Sequence, residues 1–202
     1  MGTKFGNIHI ITNNKNEVTS ALKDISSGRT QTNYNPEMYS GFESILELNK
    51  IKNIYYLGEL RPGWISVLND SFNWGEVEAF GEELSSYISS PILTISYFDD
   101  DLFELNLFLN GELQTGHIWC SEETREVYGL EEKCADISVL SQHIGYQFIN
   151  KLNEILNIED CEQAVEELQN LLEIPLWIKS DWFEDIDDKE LINKYEKHDL
   201  NN

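Results

Sequence analysis

Ile54-Tyr55-Tyr56-Leu57-Gly58-Glu59-Leu60-Arg61-Pro62-Gly63-Trp64-Ile65-Ser66-Val67-Leu68-Asn69 is the stretch whose reading decides the fold. Two runs rich in β-branched and aromatic residues flank Arg61-Pro62-Gly63, where proline presets φ and glycine permits a positive one. The stretch reads as a hairpin. Upstream of it, Ile8-His9-Ile10-Ile11 follows Gly6-Asn7 and stops at Asn13-Asn14, which predicts a first strand. Asn14 and Glu17 have capping-box spacing, and Val18, Ala21, Leu22 and Ile25 recur at helical intervals before Gly28. A capped helix therefore follows the first strand. Downstream, Asn73 and Glu76 repeat the capping signal, and Val77, Phe80, Leu84, Tyr87 and Ile88 form the apolar stripe of a second helix that stops at Ser89-Ser90-Pro91. Leu93, Ile95 and Tyr97 then alternate on one face. Phe103, Leu105, Leu107 and Leu109 do the same before Asn110-Gly111, the strongest short hairpin signal, and Leu113 to Trp119 returns as a further strand.

Two strand-helix-strand units that meet through a central hairpin have the ferredoxin-like order. The expected fold class is α+β: a ferredoxin-like antiparallel sheet with two helices on one face, extended by the hairpin at 102–119. In that order the strand at 8–12 is central and pairs with the strands at 64–69 and 92–98. Beyond residue 135 the period changes to 3.6. Leu140, Ile144, Phe148, Leu152 and Ile155 make one stripe, and Val165, Leu168, Leu171 and Leu172 make another after an Asp160/Gln163 cap. Residues 1–120 are thus read as the core and residues 121–202 as a helical extension packed on it in one compact unit. Between them in difficulty lie residues 26–50, where Ser26-Ser27-Gly28 and Asn33-Tyr34-Asn35-Pro36 are loop chemistry and Phe42, Ile45, Leu46 and Leu48 suggest a short helix. The sequence has no internal repeat and no low-complexity tract.

Composition narrows the function classes. Of 202 residues 41% are hydrophobic, enough for one sizeable core. No stretch approaches the roughly 18 apolar residues of a membrane span, and the N-terminus lacks the basic-then-apolar pattern of a secretion signal, so a cytoplasmic protein is expected. Cys120, Cys134 and Cys161 are odd in number and widely spaced, unlike a disulfide framework. The formal net charge is −23, from 37 acidic and 14 basic residues. Nucleic acid and anionic lipid are polyanions held through Lys and Arg, so neither is expected as a direct partner. Between Tyr97 and Glu132 ten acids (Asp99, Asp100, Asp101, Glu104, Glu112, Glu122, Glu123, Glu126, Glu131, Glu132) face Arg125 alone. Self-repulsion on this scale is relieved by a basic partner, which also gains a steered on-rate.

Catalytic chemistry is thin. Asp99-Asp100-Asp101 offers clustered carboxylates of the kind hard cations take, and with it a metal-dependent hydrolase as an alternative, but three consecutive acids between two β runs also make a solvated turn. His117 and Cys120, with Cys134, have only a partial zinc-ligand pattern. His9, His143 and His198 are isolated, at the core edge or the surface. No phosphate loop or nucleophile elbow is present, and no cofactor is expected. Trp182-Phe183, set between Lys179-Ser180-Asp181 and Glu184-Asp185, has the composition of a hot spot with an aromatic anchor and a charged rim. The preferred reading of these aromatics is that Trp177, Trp182 and Phe183 seal the helical tail against the sheet.

Trp64-Ile65-Ser66-Val67, Glu83-Leu84-Ser85, Pro91 to Tyr97, Phe98-Asp99-Asp100-Asp101 and Leu107 to Gly111 resemble a pattern in uncharacterised acidic bacterial proteins, some of them similar to immunity proteins of toxin systems. The resemblance spans about residues 64–117 and carries no catalytic signature. It supports a βα core and carries no site residues; the charge distribution and the aromatic segments are what lead to the expectation of a non-enzymatic acidic protein-binding module, of immunity or antitoxin type, that neutralises a basic partner. The residues expected to meet that partner are Asp99, Asp100, Asp101, Glu104, Trp182, Phe183, Glu184 and Asp185. A small-ligand sensor using the helix-free sheet face is the remaining alternative.

Overall fold

The computed structural model describes residues 2–30 and 53–201. The expected short helix at 42–48 and the loop at 33–36 lie outside the described residues. The described residues form an α+β protein around a seven-stranded antiparallel sheet: β1 (Lys4–Ile10), β2 (Ile54–Arg61), β3 (Trp64–Leu68), β4 (Ile92–Phe98), β5 (Leu102–Leu109), β6 (Glu112–Cys120) and β7 (Tyr195–Asp199). Their spatial order is β6-β5-β4-β1-β3-β2-β7. β1 pairs with β3 (Ile8 opposite Val67) and with β4 (Ile8 opposite Thr94). Helices α1 (Lys15–Thr30) and α2 (Glu76–Ser85) follow β1 and β3; α3 (Glu122–Tyr128), α4 (Ile137–Ile144), α5 (Ile149–Leu156), α6 (Cys161–Leu172) and α7 (Lys189–Ile192) follow β6. Among the described residues no helix is long and apolar enough to cross a membrane.

Local chemistry explains the joints. Asn14 Oδ1 accepts from the Glu17 N–H at 3.2 Å while Asn14 Nδ2 donates to the Glu17 carboxylate, so α1 starts where the cap was read. Gly63 has φ 81° behind Pro62, and Asn110 and Gly111 have φ 54° and 78°, the two-residue turn that matches strand twist. Asp160 caps α6 by accepting from the Gln163 N–H at 2.7 Å.

Some expected boundaries move. β1 begins at Lys4, so Gly6 and Asn7 lie inside the strand; a Cβ on Gly6 would sit 3.1 Å from the Phe72 backbone, so glycine there lets that loop cross the sheet closely. α1 runs through Gly28, where an added Cβ would meet nothing, so this glycine is no stop signal. α2 ends at Ser85, and Tyr87, counted in its stripe, is 50% exposed. The stripe from Leu140 to Ile155 is not one helix. It breaks at Gly145, whose φ of 134° no helix accommodates, and resumes in α5 with Leu152 and Ile155 buried. The C-terminal segment, read as helical throughout, also supplies β7, whose five residues pair with β2. Tyr195-Glu196-Lys197-His198-Asp199 shows almost no apolar alternation, so periodicity does not reveal it.

Among the described residues the two larger of three buried clusters divide along the strand alternation. One joins Ile8, Ile10, Tyr55, Leu57, Ile65, Val67, Ile92 and Phe108 with Val18, Leu22 and Ile25 of α1 and Val77, Phe80 and Leu84 of α2. The other joins Phe5, Leu93, Ile95, Tyr97, Phe103, Leu105, Leu107 and Trp119 with Leu140, Ile144, Leu152, Ile155, Val165, Leu168 and Leu172 of α4 to α6 and with Ile174 and Leu176. Successive β residues point to opposite faces, so the sheet carries a hydrophobic layer on each side.

His9, read as isolated, is fully buried in a polar chain that ties the tail to β1. Asn7 Nδ2 donates to the Leu176 and Ile178 carbonyls at 2.8 and 3.3 Å. Asn7 Oδ1 then meets His9 Nε2 at 2.8 Å, and His9 Nδ1 meets Ser66 Oγ at 2.8 Å. An amide oxygen only accepts, so the proton sits on Nε2 and Ser66 donates to Nδ1. The ring is neutral: burial pushes its pKa down to about 3.

Candidate protein-binding face

The turn Phe98-Asp99-Asp100-Asp101 joins β4 to β5, and its geometry accounts for its acids. Asp99 and Asp100 have φ 60° and 65°, and the Asp101 N–H donates to the Phe98 carbonyl at 3.2 Å. Asp tolerates the left-handed region better than most residues, so this is a hairpin turn in aspartate. The carboxylates are put to use on the N-terminal segment. Asp99 Oδ1 accepts from the Gly2 N–H at 2.8 Å and Asp100 Oδ1 from the Thr3 N–H at 2.9 Å, while Lys4 Nζ lies 3.7 Å from Asp99. Asp100 and Asp101 remain exposed. Among the described residues no three His, Cys, Asp or Glu side chains converge as a metal site.

The turn leads straight into an aromatic trio. Phe98, half-buried, lies 5.2 Å from Trp74 and 5.9 Å from Tyr128, and Trp74 lies 5.7 Å from Tyr128, all in tilted or edge-on contact. Lys4 Nζ stands 4.0 Å above the Phe98 ring. Tyr128 closes α3, a helix with Ser121 as N-cap, Gly129 in the left-handed region at its end, and no buried residue at all. Glu122, Glu123 and Glu126 of that helix are exposed, as are Glu131 and Glu132 beyond it, and Val127 is 73% exposed beside Tyr128. Apolar groups within an acidic rim are the composition of a protein-interaction patch.

Beneath the trio lies a polar cluster. Glu104 of β5 is 5% exposed; its Oε2 accepts from Trp74 Nε1 at 2.8 Å, and its Oε1 accepts from Asn106 Nδ2 at 2.9 Å and Lys133 Nζ at 2.6 Å. Lys133 reaches it across β6 at Gly116, where an added Cβ would meet Asn106 Oδ1 and lie 3.0 Å from the lysine chain. The Lys133 carbonyl also accepts from the Ile118 N–H at 3.1 Å, so this segment runs along the outer edge of β6. Glu78 of α2 sits over the same strands: Ser96 and Glu104 are cross-strand partners, and Ser96 Oγ hydrogen-bonds Glu78 Oε1. Burial first, then the charge on Glu104, raise the Glu78 pKa to about 7.

The residues singled out by sequence thus fall in two places. Asp99, Asp100 and Asp101 border the aromatic trio, and Glu104 lies under it as a buried support for Trp74. Trp182 and Phe183 pack elsewhere, half-buried. Trp182 stands edge-on to Phe5 at 5.9 Å, and Phe183 meets Tyr56 of β2 and Tyr195 of β7 at 5.0 and 5.3 Å. That position is on the opposite face of the sheet from Phe98 and Trp74, where it seals the tail against the strands, with Glu184 and Asp185 exposed beside it. None of Trp74, Phe98, Val127 and Tyr128 is among the residues expected from the sequence to meet a partner. The available signal was the Val127-Tyr128 pair between two Glu-rich runs, an apolar step with no stripe to bury it. His117, weighed as a zinc ligand, instead accepts from the Ala135 N–H at 3.3 Å and packs on Trp119, and burial lowers its pKa to about 4.

No protein-family model matches the chain, and no curated protein and no solved structure matches it either.

Proposed function

We propose that the chain is a non-enzymatic, acidic protein-binding module that takes a basic protein partner, in the manner of an immunity or antitoxin protein. The observation that carries this reading is the Trp74–Phe98–Tyr128 trio framed by the 99–101 turn and the exposed acids of 122–132. Aromatic anchors hold a partner, and rim charges steer it in. A net charge of −23 favours a cationic partner over nucleic acid or an anionic membrane. The order β4-β1-β3-β2, with α1 and α2 as crossovers on one face, is read as a ferredoxin-like unit. On this reading β5–β6 and β7 extend its two ends, residues 121–202 form an extension of the core at 1–120, and the protein works in the cytoplasm.

The test is association kinetics with a cationic protein domain encoded beside it, at low and high ionic strength. Asp99→Asn, Asp100→Asn and Asp101→Asn together should slow association as added salt does, whereas Tyr128→Ala should act mainly on dissociation. An on-rate indifferent to both salt and the triple substitution sinks the proposal.

A further inference from the structure

Trp74 is held at both ends by a carboxylate. Its indole N–H is taken by Glu104, and the next residue, Gly75, donates its backbone N–H to Glu78 Oε2 at 2.6 Å. Gly75, with φ 86°, is the N-cap just before α2, so the chain turns there in a conformation that favours glycine. The two carboxylates share one patch of sheet, since Glu78 bonds Ser96 and Ser96 lies directly opposite Glu104. Among the described residues the cation bonded to this patch is Lys133, through Glu104 and Asn106, while Lys4 beside it reaches Asp99 and the Phe98 ring.

We propose that Glu78 and Glu104 act as a proton-operated clamp on Trp74, seated when Glu78 is protonated and released when it ionises. With Glu78 neutral, Glu104 is the one anion against Lys133, and both carboxyl groups keep their partners. Ionisation of Glu78 places two anions over one cation in a desolvated patch. The bonds from Gly75 and Ser96 favour the carboxylate and oppose release, but burial and the charge on Glu104 outweigh them, and the repulsion is relieved when Glu78 swings to solvent and frees the turn beside Trp74. The groups facing Glu78 are few. Among the described residues β5 presents Glu104 and Asn106, β4 Thr94 and Ser96, β6 Gly116 and Ile118, and β1 Lys4, Gly6 and Ile8, with Lys4 turned to Asp99 and Phe98; α1 buries Val18, Ala21, Leu22, Ile25 and Ser26, and Glu82, one turn on in α2, is exposed. Burial and the charge on Glu104 thus raise its pKa, and Lys133 enters through its bond to Glu104. The clamp concerns the free protein; its consequence, a binding face better ordered below neutrality than above it, rests on the proposed partner-binding reading.

The test needs no partner. The Trp74 indole N–H resonance, identified by its loss in Trp74→Phe, and the Gly75 amide are followed by NMR from pH 5.5 to 8.5. Both should report one transition with a midpoint near 7, and Gly75 exchange should accelerate above it beyond the tenfold per pH unit of base catalysis. Glu78→Gln keeps an acceptor for Gly75 and should abolish the transition. Glu104→Gln should lower the midpoint by about 1–2 pH units, the effect of removing a nearby like charge, and Lys133→Met should raise it. If Glu104→Gln fails to fold, Glu78→Gln and Lys133→Met still decide. No transition in the native protein, or one that persists in Glu78→Gln, overturns the clamp, and neither result bears on the salt-dependent association that tests partner binding.

Discussion

Gly81 is buried in α2 at a point where an added Cβ would collide with Thr94 Cγ2 on β4. Glycine costs a helix interior about 1 kcal/mol relative to alanine, so its presence here is a packing requirement. Gly81→Ala is expected to destabilise the protein by about 1–3 kcal/mol, as overpacking does, despite the gain in helix propensity. Thr94→Ser removes the obstructing methyl. In a double-substitution cycle read by urea unfolding, Gly81→Ala should cost markedly less in the Thr94→Ser background. Additive costs would place the strain elsewhere. At His9 and Glu78 the residue scale meets pH. Folding depresses the His9 pKa to about 3, so its contribution is complete above the unfolded value of 6.5 and is lost as pH falls through the interval below. Folding raises the Glu78 pKa to about 7, so its contribution is complete below the unfolded 4.5 and is lost as pH rises toward 7. Between 4.5 and 6.5 the two slopes oppose each other. Glu78→Gln should therefore add to the stability profile in that window a rise of up to about 1.4 kcal/mol per pH unit relative to the native protein, measured by unfolding at several pH values. A profile parallel to the native one would show that Glu78 does not bind its proton more tightly in the folded state.

At the scale of the element, α2 depends on burial more than on capping. Phe80 and Leu84 are 3% and 0% exposed within the layer that α1 and α2 share with the sheet. Truncation of either to alanine should cost about 2–5 kcal/mol by denaturant unfolding. A loss below about 1 kcal/mol would mean that the face is not packed as described. α3 is the opposite case, since it buries nothing and is held by Ser121 and Gly129 at its ends. Its Val127→Ala substitution should leave stability within about 0.5 kcal/mol, as exposed substitutions do, and so act on partner binding without a folding artefact.

For the whole molecule the acidity is a surface field. Asp99 and Asp100 sit in the left-handed region, which asparagine tolerates at least as well, and an amide oxygen still accepts from the Gly2 and Thr3 N–H groups. The triple Asp→Asn variant should accordingly fold with native stability while it loses three charges, so a slower on-rate in it is an electrostatic result. Raised salt should slow the native protein more than the variant, measured by stopped-flow association with the cationic domain. Equal slowing of both would place the steering charges outside the 99–101 turn.

Most elements were legible because their signals are local. Asn14 with Glu17, Pro62-Gly63, Asn110-Gly111 and Asp160 with Gln163 each act within four residues of themselves, and the alternation in β4 and β5 needs only the pleat and a core on either side. What lies between distant segments was not legible. Nothing near Glu104 in sequence announces Trp74, Lys133 or Glu78, which reach it through strand register, the packing of α2 and the gap over Gly116. Asn7 and His9 stand in a β-branched run that reads the same whether their side chains meet water or the Leu176 and Ile178 carbonyls. β7 exists because β2 offers it an edge, and its charged sequence would hold no strand alone. Short-range backbone preference therefore fixed the elements, while the burial of polar groups, which must find partners wherever the fold supplies them, was decided only when the layers closed.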